Sequence, residues 1–483
     1  MERIAKRPLV ALGAAALALT LVAPGGARTD GGGPQRYVVV FTGGSGLPAN
    51  ASKLVSAAGG TVTATLPQLG AVRASSARGD FAAAAASIPQ VAGVGVDAVR
   101  QLIPSDDAGG SAPRAAAAPS SGGDPLSGQQ WDKARIGATA SGSYAVQRGR
   151  RDVVVAVLDT GADTSHPDIA PNLDLARSRS FVPSELDLQD HNGHGTWCLS
   201  AVAAPLNGVG IAGVAPNVTT LALKVLDRNG DGSFSGIAQA LVYAADQHAN
   251  VASLSLGAFV DRKDKVDYEL MRRAVAYARD AGVLPVAAVG NDDLDLSDKQ
   301  VMDSVVELPA DLPGVVGVAS TGSLDRKAYY SNYGTQQVDV VAPGGDRRFQ
   351  PPGAGIHGGG RVLGAWPAEA IGSIDPSLRE QDCGAGGCAD YAWEQGTSMA
   401  VPDVAGVAAL VVSQLGHPHM RPDDVEKVLE RSASPLPCPA PPTVTYDVPP
   451  GILASNTATC RGNAKSNGFY GSGLVDALRA VSE

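Results

Sequence analysis

Ser398 has the surroundings of a nucleophile in acyl-transfer chemistry. It lies in the small-residue segment GTSMAVP at 396–402, and an apolar helical run follows at 404–415. A serine at the start of a helix faces free backbone N–H groups and the positive end of the helix dipole, which favour a developing oxyanion. Most serines in such motifs only cap a helix or form a turn, so the motif gains meaning only if a base and an acid lie elsewhere.

Asp159 and His194 supply an acid and a base in suitable settings. Asp159 ends the apolar run VVVAVL at 153–158, a pattern typical of a strand buried on both faces of a parallel sheet. The carboxyl ends of such strands hold the functional groups of α/β proteins. His194 lies in HNGHGT at 191–196, just before the helix-like run 197–204. An aspartate, a histidine and a serine can together orient an imidazole, remove a proton and attack a carbonyl.

The chain resembles the subtilisin family of serine endopeptidases at four motifs in the family's order. These are DTG at 159–161, HGT at 194–196, AVGN at 288–291 and GTSMAVP at 396–402. The resemblance runs from about residue 124 to the C-terminus. It implies that Asp159, His194 and Ser398 are catalytic and that Asn291 donates its side-chain amide to the oxyanion. The position of Cys198, four residues after His194, resembles that of a cysteine in the proteinase K branch of the family.

The resemblance also implies a groove for an extended polypeptide. One wall of the primary pocket would be Ser255, Leu256 and Gly257, the other Ala288 and Gly290, and the second groove edge Gly230 and Gly232. Backbone pairing in such a groove admits many sequences, so we expect broad specificity. A preference for apolar or aromatic side chains is implied only by the resemblance. Asp292 would shift that preference toward basic side chains if it reaches the pocket.

Catalysis of this kind needs no cofactor, but the resemblance implies a structural calcium site. Its ligands would be the side chains of Asp168 and Asn207 and the carbonyl groups of Val209 and Ile211. The segment DRNGDG at 227–232 is a poorer candidate, because an EF-hand loop needs a carboxylate where this chain has Ala238. The histidine motif of zinc proteases is absent from the sequence.

Five cysteines fit an oxidising compartment, with one left over. Proximity in the sequence favours disulfides Cys383–Cys388 and Cys438–Cys460, although the sequence leaves the connectivity open. Cys198 would then be a small buried thiol beneath the site. The alternative, a cysteine nucleophile, is weaker because Ser398 has the better surroundings.

The composition bounds the partners and the compartment. The 483 residues carry a formal net charge of −10 and no basic block, which argues against a nucleic-acid partner. Residues 1–27 read as a secretory signal, with a positive start, an apolar core and small residues before the cleavage point. No later stretch reads as a membrane span. We therefore expect a secreted, extracellular, monomeric protein that is free of the membrane once the signal is removed.

The chain divides into a small N-terminal domain, a linker and a large domain. Residues 35–103 show a β-α-β-β-α-β order that predicts a ferredoxin-like α+β domain, and they resemble the inhibitory propeptide of subtilisins. Residues 104–123 are rich in Ala, Ser, Gly and Pro, which predicts a flexible linker holding the maturation cleavage.

Residues 124–483 predict the catalytic domain, an α/β fold with a doubly wound, mostly parallel sheet between helices. The predicted strands after the Asp159 strand are 214–216, 221–225, 251–256, 283–289, 315–319 and 338–341, and the predicted helices between them are 236–247 and 268–281. Residues 345–393 read as a surface insertion and residues 435–450 as a Pro-rich loop.

The function predicted from the sequence is a secreted serine endopeptidase that processes its own zymogen and is inhibited by its propeptide until then. Two alternative hypotheses remain. One is a non-catalytic binding module on the same fold, and the other is an esterase or transferase that uses the same three side chains. The complete set of Asp159, His194, Ser398 and Asn291 argues against the binding module. An esterase would need a small, closed acyl pocket.

Overall fold

The computed structural model describes residues 33–103, 123–300, 302–349, 358–384, 387–416, 420–448 and 456–483. The predicted signal segment 1–27 and almost all of the predicted linker lie outside the described residues. One described helix, Thr397–Leu415, has the length and apolar composition of a membrane span. It is almost entirely buried inside the protein, as expected of a core helix.

The N-terminal residues form an antiparallel four-stranded sheet with two short helices. Its strands lie in the order β2-β3-β1-β4. Tyr37, Val39 and Phe41 alternate along β1 and pack with Phe81 of α2 in a small core of their own. The order of elements matches the predicted β-α-β-β-α-β pattern. The elements are β1 Gln35–Phe41, α1 Ala51–Ala57, β2 Thr61–Leu66, β3 Ala71–Ser76, α2 Phe81–Ala86 and β4 Val91–Val96.

The larger domain is built on a seven-stranded sheet in which every pairing is parallel. A short strand β5, Arg100–Gln101, lies between β4 and this sheet in the sequence. The sheet order is β15-β14-β12-β10-β6-β8-β7. Helix α4 packs with α7, helix α5 packs with α6, and both pairs contact the sheet. Through β15 the elements are α3 Trp131–Arg135, β6 Val154–Asp159, β7 Arg179–Ser180, α4 His194–Ala203, β8 Thr219–Lys224, β9 Asp231–Gly232, α5 Phe234–Asp246, β10 Val251–Leu254, β11 Ala258–Asp261, α6 Lys265–Asp280, β12 Leu284–Ala288, β13 Val305–Leu308, β14 Val316–Thr321 and β15 Val340–Pro343.

The remaining elements add a second sheet and the C-terminal helices. They are β16 Val362–Trp366, β17 Arg379–Gly384, β18 Gly387–Glu394, α7 Thr397–Leu415, α8 Pro422–Ser432, β19 Thr443–Thr445, β20 Thr457–Thr459 and α9 Ala477–Ser482. Two disulfides are present, Cys383–Cys388 between β17 and β18 and Cys438–Cys460 around the β19–β20 hairpin. These are the pairings that proximity in the sequence favours.

The predicted strand at 214–216 is wrong, because that segment is an irregular loop. Val214 and Ala215 donate their backbone N–H groups to Ala201 and Val202 in the last turn of α4. A Cβ at Gly406 of α7 would come within 2.6 Å of Val214. The apolar pattern therefore reflects a loop buried between two helices, which sequence periodicity does not distinguish from a short strand.

The prediction that residues 345–393 form a surface insertion is also wrong in part. Strands β16, β18 and β17 form an antiparallel sheet, and its residues Leu363, Tyr391 and Trp393 are fully buried. The ring nitrogen of Trp197 on α4 donates to the carbonyl oxygen of Ala392 at 3.2 Å. The segment is thus a packed layer over the helix that begins at His194.

Candidate active site

Asp159 and His194 are joined by a direct hydrogen bond. Asp159 is the last residue of β6 and His194 the first residue of α4. Nδ1 of the imidazole lies 2.8 Å from Oδ1 of the carboxylate. His194 is only 7% exposed and Asp159 only 1%. A buried carboxylate at this distance fixes the imidazole tautomer that carries a proton on Nδ1.

Asp190 holds the start of α4 in place and was missed by the sequence analysis. Its carboxylate accepts hydrogen bonds from the backbone N–H groups of Asn192, Gly193 and Thr196 and from the hydroxyls of Thr160 and Thr196. Thr160 follows Asp159 directly, so Asp190 connects the end of β6 to the helix that carries His194. An aspartate four residues before that histidine is the only local sequence sign of this role.

The turn before His194 requires glycine for two reasons. Gly193 has φ of 114°, in the left-handed region that favours glycine. A Cβ at this position would also come within 2.1 Å of the Trp366 indole. Strand β16, which carries Trp366, therefore approaches the histidine so closely that no larger residue fits at 193.

Ser398 is the second residue of α7, as the position of its motif predicts. It is 4% exposed, and its hydroxyl donates to the carbonyl oxygen of Ser255 at 3.1 Å. Pro402 has no N–H to offer the Ser398 carbonyl one helical turn earlier. That carbonyl instead accepts a hydrogen bond from the Ser255 hydroxyl at 2.8 Å. The Ser398 backbone is thereby tied to the segment between β10 and β11.

The serine and the histidine form no hydrogen bond with each other in this conformer. Nε2 of His194 is buried and has no hydrogen-bond partner among the described residues, because the Ser398 hydroxyl is turned to Ser255. Both residues contact Cys198, whose Sγ lies 3.8 Å from Nδ1 of His194 and 3.9 Å from the Ser398 carbonyl oxygen. Catalytic hydrogen bonds are often long or misaligned before substrate binds.

Electrostatics distinguish the imidazole from the thiol beside it. Burial opposes the charged imidazole and is the largest single influence on it, but the interactions with Asp159 and Cys198 together outweigh burial and raise the pKa of His194 well above its usual value. Burial raises the pKa of the Cys198 thiol. Cys198 is unpaired, and a buried neutral thiol is a poor nucleophile. Ser398 is therefore a better candidate for the nucleophile than Cys198.

The Asn291 side chain reaches the start of α7, and its nitrogen has no hydrogen-bond partner among the described residues. The backbone N–H and the hydroxyl of Thr397 both donate to its Oδ1, at 3.0 and 2.8 Å. The amide is thereby oriented, and Nδ2 is the atom that remains for a ligand. Asn332, which sequence analysis missed, bonds the backbone of the turn after β12 on both sides of Asn291, at Val289 and Asp292.

The two predicted groove edges hold the segment that leaves the N-terminal domain. β5 pairs antiparallel with β9, with Arg100 opposite Gly232. The N–H of Leu102 donates to the carbonyl of Gly230 at 3.0 Å, and the N–H of Gly257 donates to the carbonyl of Leu102 at 3.0 Å. Residues 100–102 thus lie as an extended strand between the segments predicted to bind substrate.

The predicted calcium ligands lie in one loop cluster, but they already bond to each other and to protein donors. The Asp168 carboxylate accepts from the Tyr391 hydroxyl at 2.7 Å and from the Ile211 N–H at 3.1 Å, and Nδ2 of Asn207 lies 3.4 Å from it. Asp124, missed by the sequence analysis, binds the backbone N–H groups of 207 and 208, and its Oδ2 is buried without a partner among the described residues. The unpartnered Asp124 oxygen is a suitable ligand for a cation held between Asp124 and Asp168. A calcium ion at this place stays a prediction.

A parallel sheet between helices, a hydrogen-bonded Asp–His pair and a serine at a helix N-terminus together indicate a serine hydrolase with an α/β fold. Comparison with known proteins gives the family. The model of the Subtilase family matches residues 150–473. The chain belongs to that family and is a subtilisin-like serine endopeptidase.

Individual relatives agree with the family assignment. A thermophilic serine proteinase of Bacillus sp. (strain AK1) is 36% identical over 273 residues, which are 56% of this chain and 55% of that protein. Thermitase of Thermoactinomyces vulgaris is 35% identical over 290 residues, 60% of this chain and 84% of thermitase. The chain thus spans about half the length of the first relative and most of the second.

A solved structure shares the fold over nearly the whole chain. The epidermin leader peptide processing serine protease of Staphylococcus aureus superposes with a TM-score of 0.68 and 22% identity, covering 93% of this chain and 98% of that one. At this identity the likeness concerns the fold alone.

Proposed function

We propose that this protein hydrolyses peptide bonds through an acyl-enzyme on Ser398. His194 accepts the hydroxyl proton as Ser398 Oγ attacks the carbonyl carbon, and it returns that proton to the leaving amine. Water then attacks the acyl-enzyme by the same route and releases the acid. The observation that carries the proposal is the 2.8 Å contact between His194 Nδ1 and Asp159, beside a serine at the start of α7.

The attack requires the Ser398 hydroxyl to leave the Ser255 carbonyl. Rotation about the Cα–Cβ bond is the movement available to a serine, and the unpartnered Nε2 of His194 is the acceptor it would gain. The oxyanion would take hydrogen bonds from Nδ2 of Asn291 and from the Ser398 N–H. The buried Cys198 beneath the pair supports a place in the proteinase K-like branch.

A fluorophosphonate probe tests the proposed nucleophile directly. Incubation of the processed protein with the probe, followed by peptide mapping, should find the adduct on Ser398. Labelling carried out at a pH below the His194 pKa should be slower, because protonated His194 cannot accept the hydroxyl proton. An adduct on Cys198, or no adduct on a protein that cleaves peptides, would contradict the assignment.

Replacement of Asn291 by alanine should lower kcat by about 10²- to 10³-fold with little change in KM, because its amide acts on charge that develops only in the transition state. Steady-state kinetics on one chromogenic peptide measures both constants. Thr397→Ser is the matched control, since it retains both donors that orient Asn291. A change confined to KM would mean that Asn291 only binds substrate.

We further propose that residues 35–103 are an inhibitory propeptide cleaved in or near 104–123. The pairing of β5 with β9 and the bonds of Leu102 to both groove edges support this, since a segment bound as substrate excludes other peptides. Arg100 also lies 3.5 and 3.3 Å from the carboxylates of Asp264 and Asp267 at the start of α6. Slow folding of a parallel sheet gives such a domain a second use as a folding aid.

Removal of the Arg100 side chain should release inhibition sooner. Two partly buried ion pairs would be lost, so we expect proteolytic activity to appear about tenfold earlier after the Arg100→Ala chain is folded. The time course of peptide hydrolysis measures the delay. The exposed Lys53 of α1 provides a control, Lys53→Ala. Equal delays in all three proteins would remove Arg100 from the inhibitory contact.

Export is proposed on two grounds, the signal-like residues 1–27 and the two disulfides, which persist in oxidising compartments. The main-chain pairing along the groove supports acceptance of many sequences at the positions it spans.

A further inference from the structure

Glu307 is a buried acid beside the predicted substrate strand. It lies in β13 and is 2% exposed. β13 pairs antiparallel with β11, which directly follows Ser255, Leu256 and Gly257, and Glu307 is opposite Phe259. A Cβ at Gly257 would come within 2.5 Å of Oε1 of Glu307. The carboxyl group therefore lies against a residue of the predicted wall of the primary pocket.

No described residue donates a hydrogen bond to the Glu307 carboxyl group or forms an ion pair with it. The groups that act on it electrostatically are Asp292 and Asp311, both acids. Burial raises the pKa of Glu307 well above its usual value, and the two acids add to this. Proteins rarely bury an acid without a partner, because removing its charge from water costs free energy, whereas burying an apolar residue does not. The described chain therefore supplies no cation that would offset the charge of an ionised Glu307 carboxyl group.

Asp292 brings a second carboxyl group to the same place. It follows Asn291, and its Oδ2 accepts a hydrogen bond from Nδ2 of Asn332 at 3.2 Å. Burial raises the pKa of Asp292 as well. The same Asn332 holds the backbone of this turn through Val289 and Leu294. One acid is therefore next to each predicted pocket wall, Glu307 beside Gly257 and Asp292 beside Gly290.

We propose that Glu307 and Asp292 make the primary pocket selective for a basic side chain, lysine or arginine, on the residue whose carbonyl carbon Ser398 attacks. The inference rests on the proposed function and adds its substrate class. The entering cation replaces the proton on the carboxyl group, which is released to solvent, and a charge-assisted hydrogen bond forms in a site with little water. A guanidinium group can bond both carboxylates, and an ammonium group one or both.

Another role for Glu307 would be a permanently neutral acid that only packs against Gly257. That role predicts a pocket that accepts apolar or aromatic side chains, as the resemblance to subtilisins implies. The two roles give opposite results on substrates that differ in one residue, so a matched substrate series separates them.

The test uses the self-processed enzyme and p-nitroanilide tetrapeptides that differ only in the last residue, which is Arg, Lys, Phe or Gln. We expect kcat/KM for Arg or Lys to exceed that for Phe at least about tenfold. Glu307→Gln keeps the shape and removes the charge. It should lower kcat/KM for the basic substrates by about 10- to 100-fold and leave Phe and Gln unchanged or improved. Asp292→Asn should have a smaller effect in the same direction.

Asp152→Asn is the matched control, because Asp152 is an exposed acid ion-paired with Arg150 and should leave all four values unchanged. A wild-type preference for Phe, or an equal loss on all four substrates in Glu307→Gln, would overturn the proposal. Failure of the proposed function looks different, since then no substrate is cleaved and fluorophosphonate does not label Ser398. Thermal unfolding of each variant identifies a loss caused by misfolding, and in that case Asp292→Asn decides the matter.

Discussion

The Ser398→Ala chain should accumulate at full length and hydrolyse no peptide above background. Removal of the nucleophile in an enzyme of this mechanism costs about 10⁶-fold in kcat. If the cleavage in or near 104–123 is made by the chain itself, it should stop with the nucleophile. Gel electrophoresis with N-terminal sequencing follows the processing, and a chromogenic peptide follows the activity.

Ser413→Ala is the control for this experiment. Ser413 lies on the same helix, α7, and is buried; its hydroxyl donates to the Ala409 carbonyl one turn earlier and accepts from the Arg150 N–H, with no bond to the predicted triad. The control should be processed and active like the wild type. If Ser398→Ala is processed at the normal rate, another protease matures the chain and self-processing is wrong. If it also retains peptidase activity, Ser398 is not the nucleophile.

The sequence predicted the parts of the site that local patterns encode. The run before Asp159 has the continuous apolar character of a strand buried on both faces, and β6 is such a strand. The small residues before Ser398 and the apolar period after it predicted the start of α7. Segments of this kind are determined by burial and by the change from turn to helix, which neighbouring residues record.

The residues that position the site were not predictable, because their partners are distant in the sequence. Asp190 and Asn332 each bond several backbone groups of turns next to the predicted catalytic residues. Apart from the position of Asp190 four residues before His194, nothing near either residue distinguishes it from an ordinary polar loop residue. The contact of Trp366 with Gly193 joins segments more than 170 residues apart. Glu307 looks like one polar residue in an apolar strand, and only the register of β13 with β11 brings it to Gly257.

The sheet of β16, β17 and β18 was predicted to be a surface insertion because its sequence is rich in glycine, and the packing that explains this glycine involves a residue distant in the sequence. Its glycines allow close approach, since a Cβ at Gly364 would come within 2.3 Å of the Trp197 ring. High glycine content ordinarily indicates turns. Here it reflects a strand lying directly on a buried tryptophan, which composition alone does not reveal.

Replacement of Asp159 by asparagine should lower kcat/KM by about 10⁴-fold and also change its pH dependence. In the wild type the neutral imidazole is the base, so kcat/KM falls as the pH drops through the His194 pKa. Asp159 raises that pKa, which moves the acidic limb of the profile above the usual histidine range. Without the carboxylate the His194 pKa falls, so the acidic limb should move to lower pH.

The pH profile separates two roles of Asp159. If it only raised the pKa, the asparagine variant would lose nothing at a pH where both enzymes hold a neutral imidazole. We expect the deficit of about 10⁴-fold to persist there, because asparagine can hold the tautomer that leaves Nε2 protonated and unable to accept the Ser398 proton. Full recovery at high pH would contradict an orienting role. An unshifted acidic limb would mean that the limb reports a group other than His194.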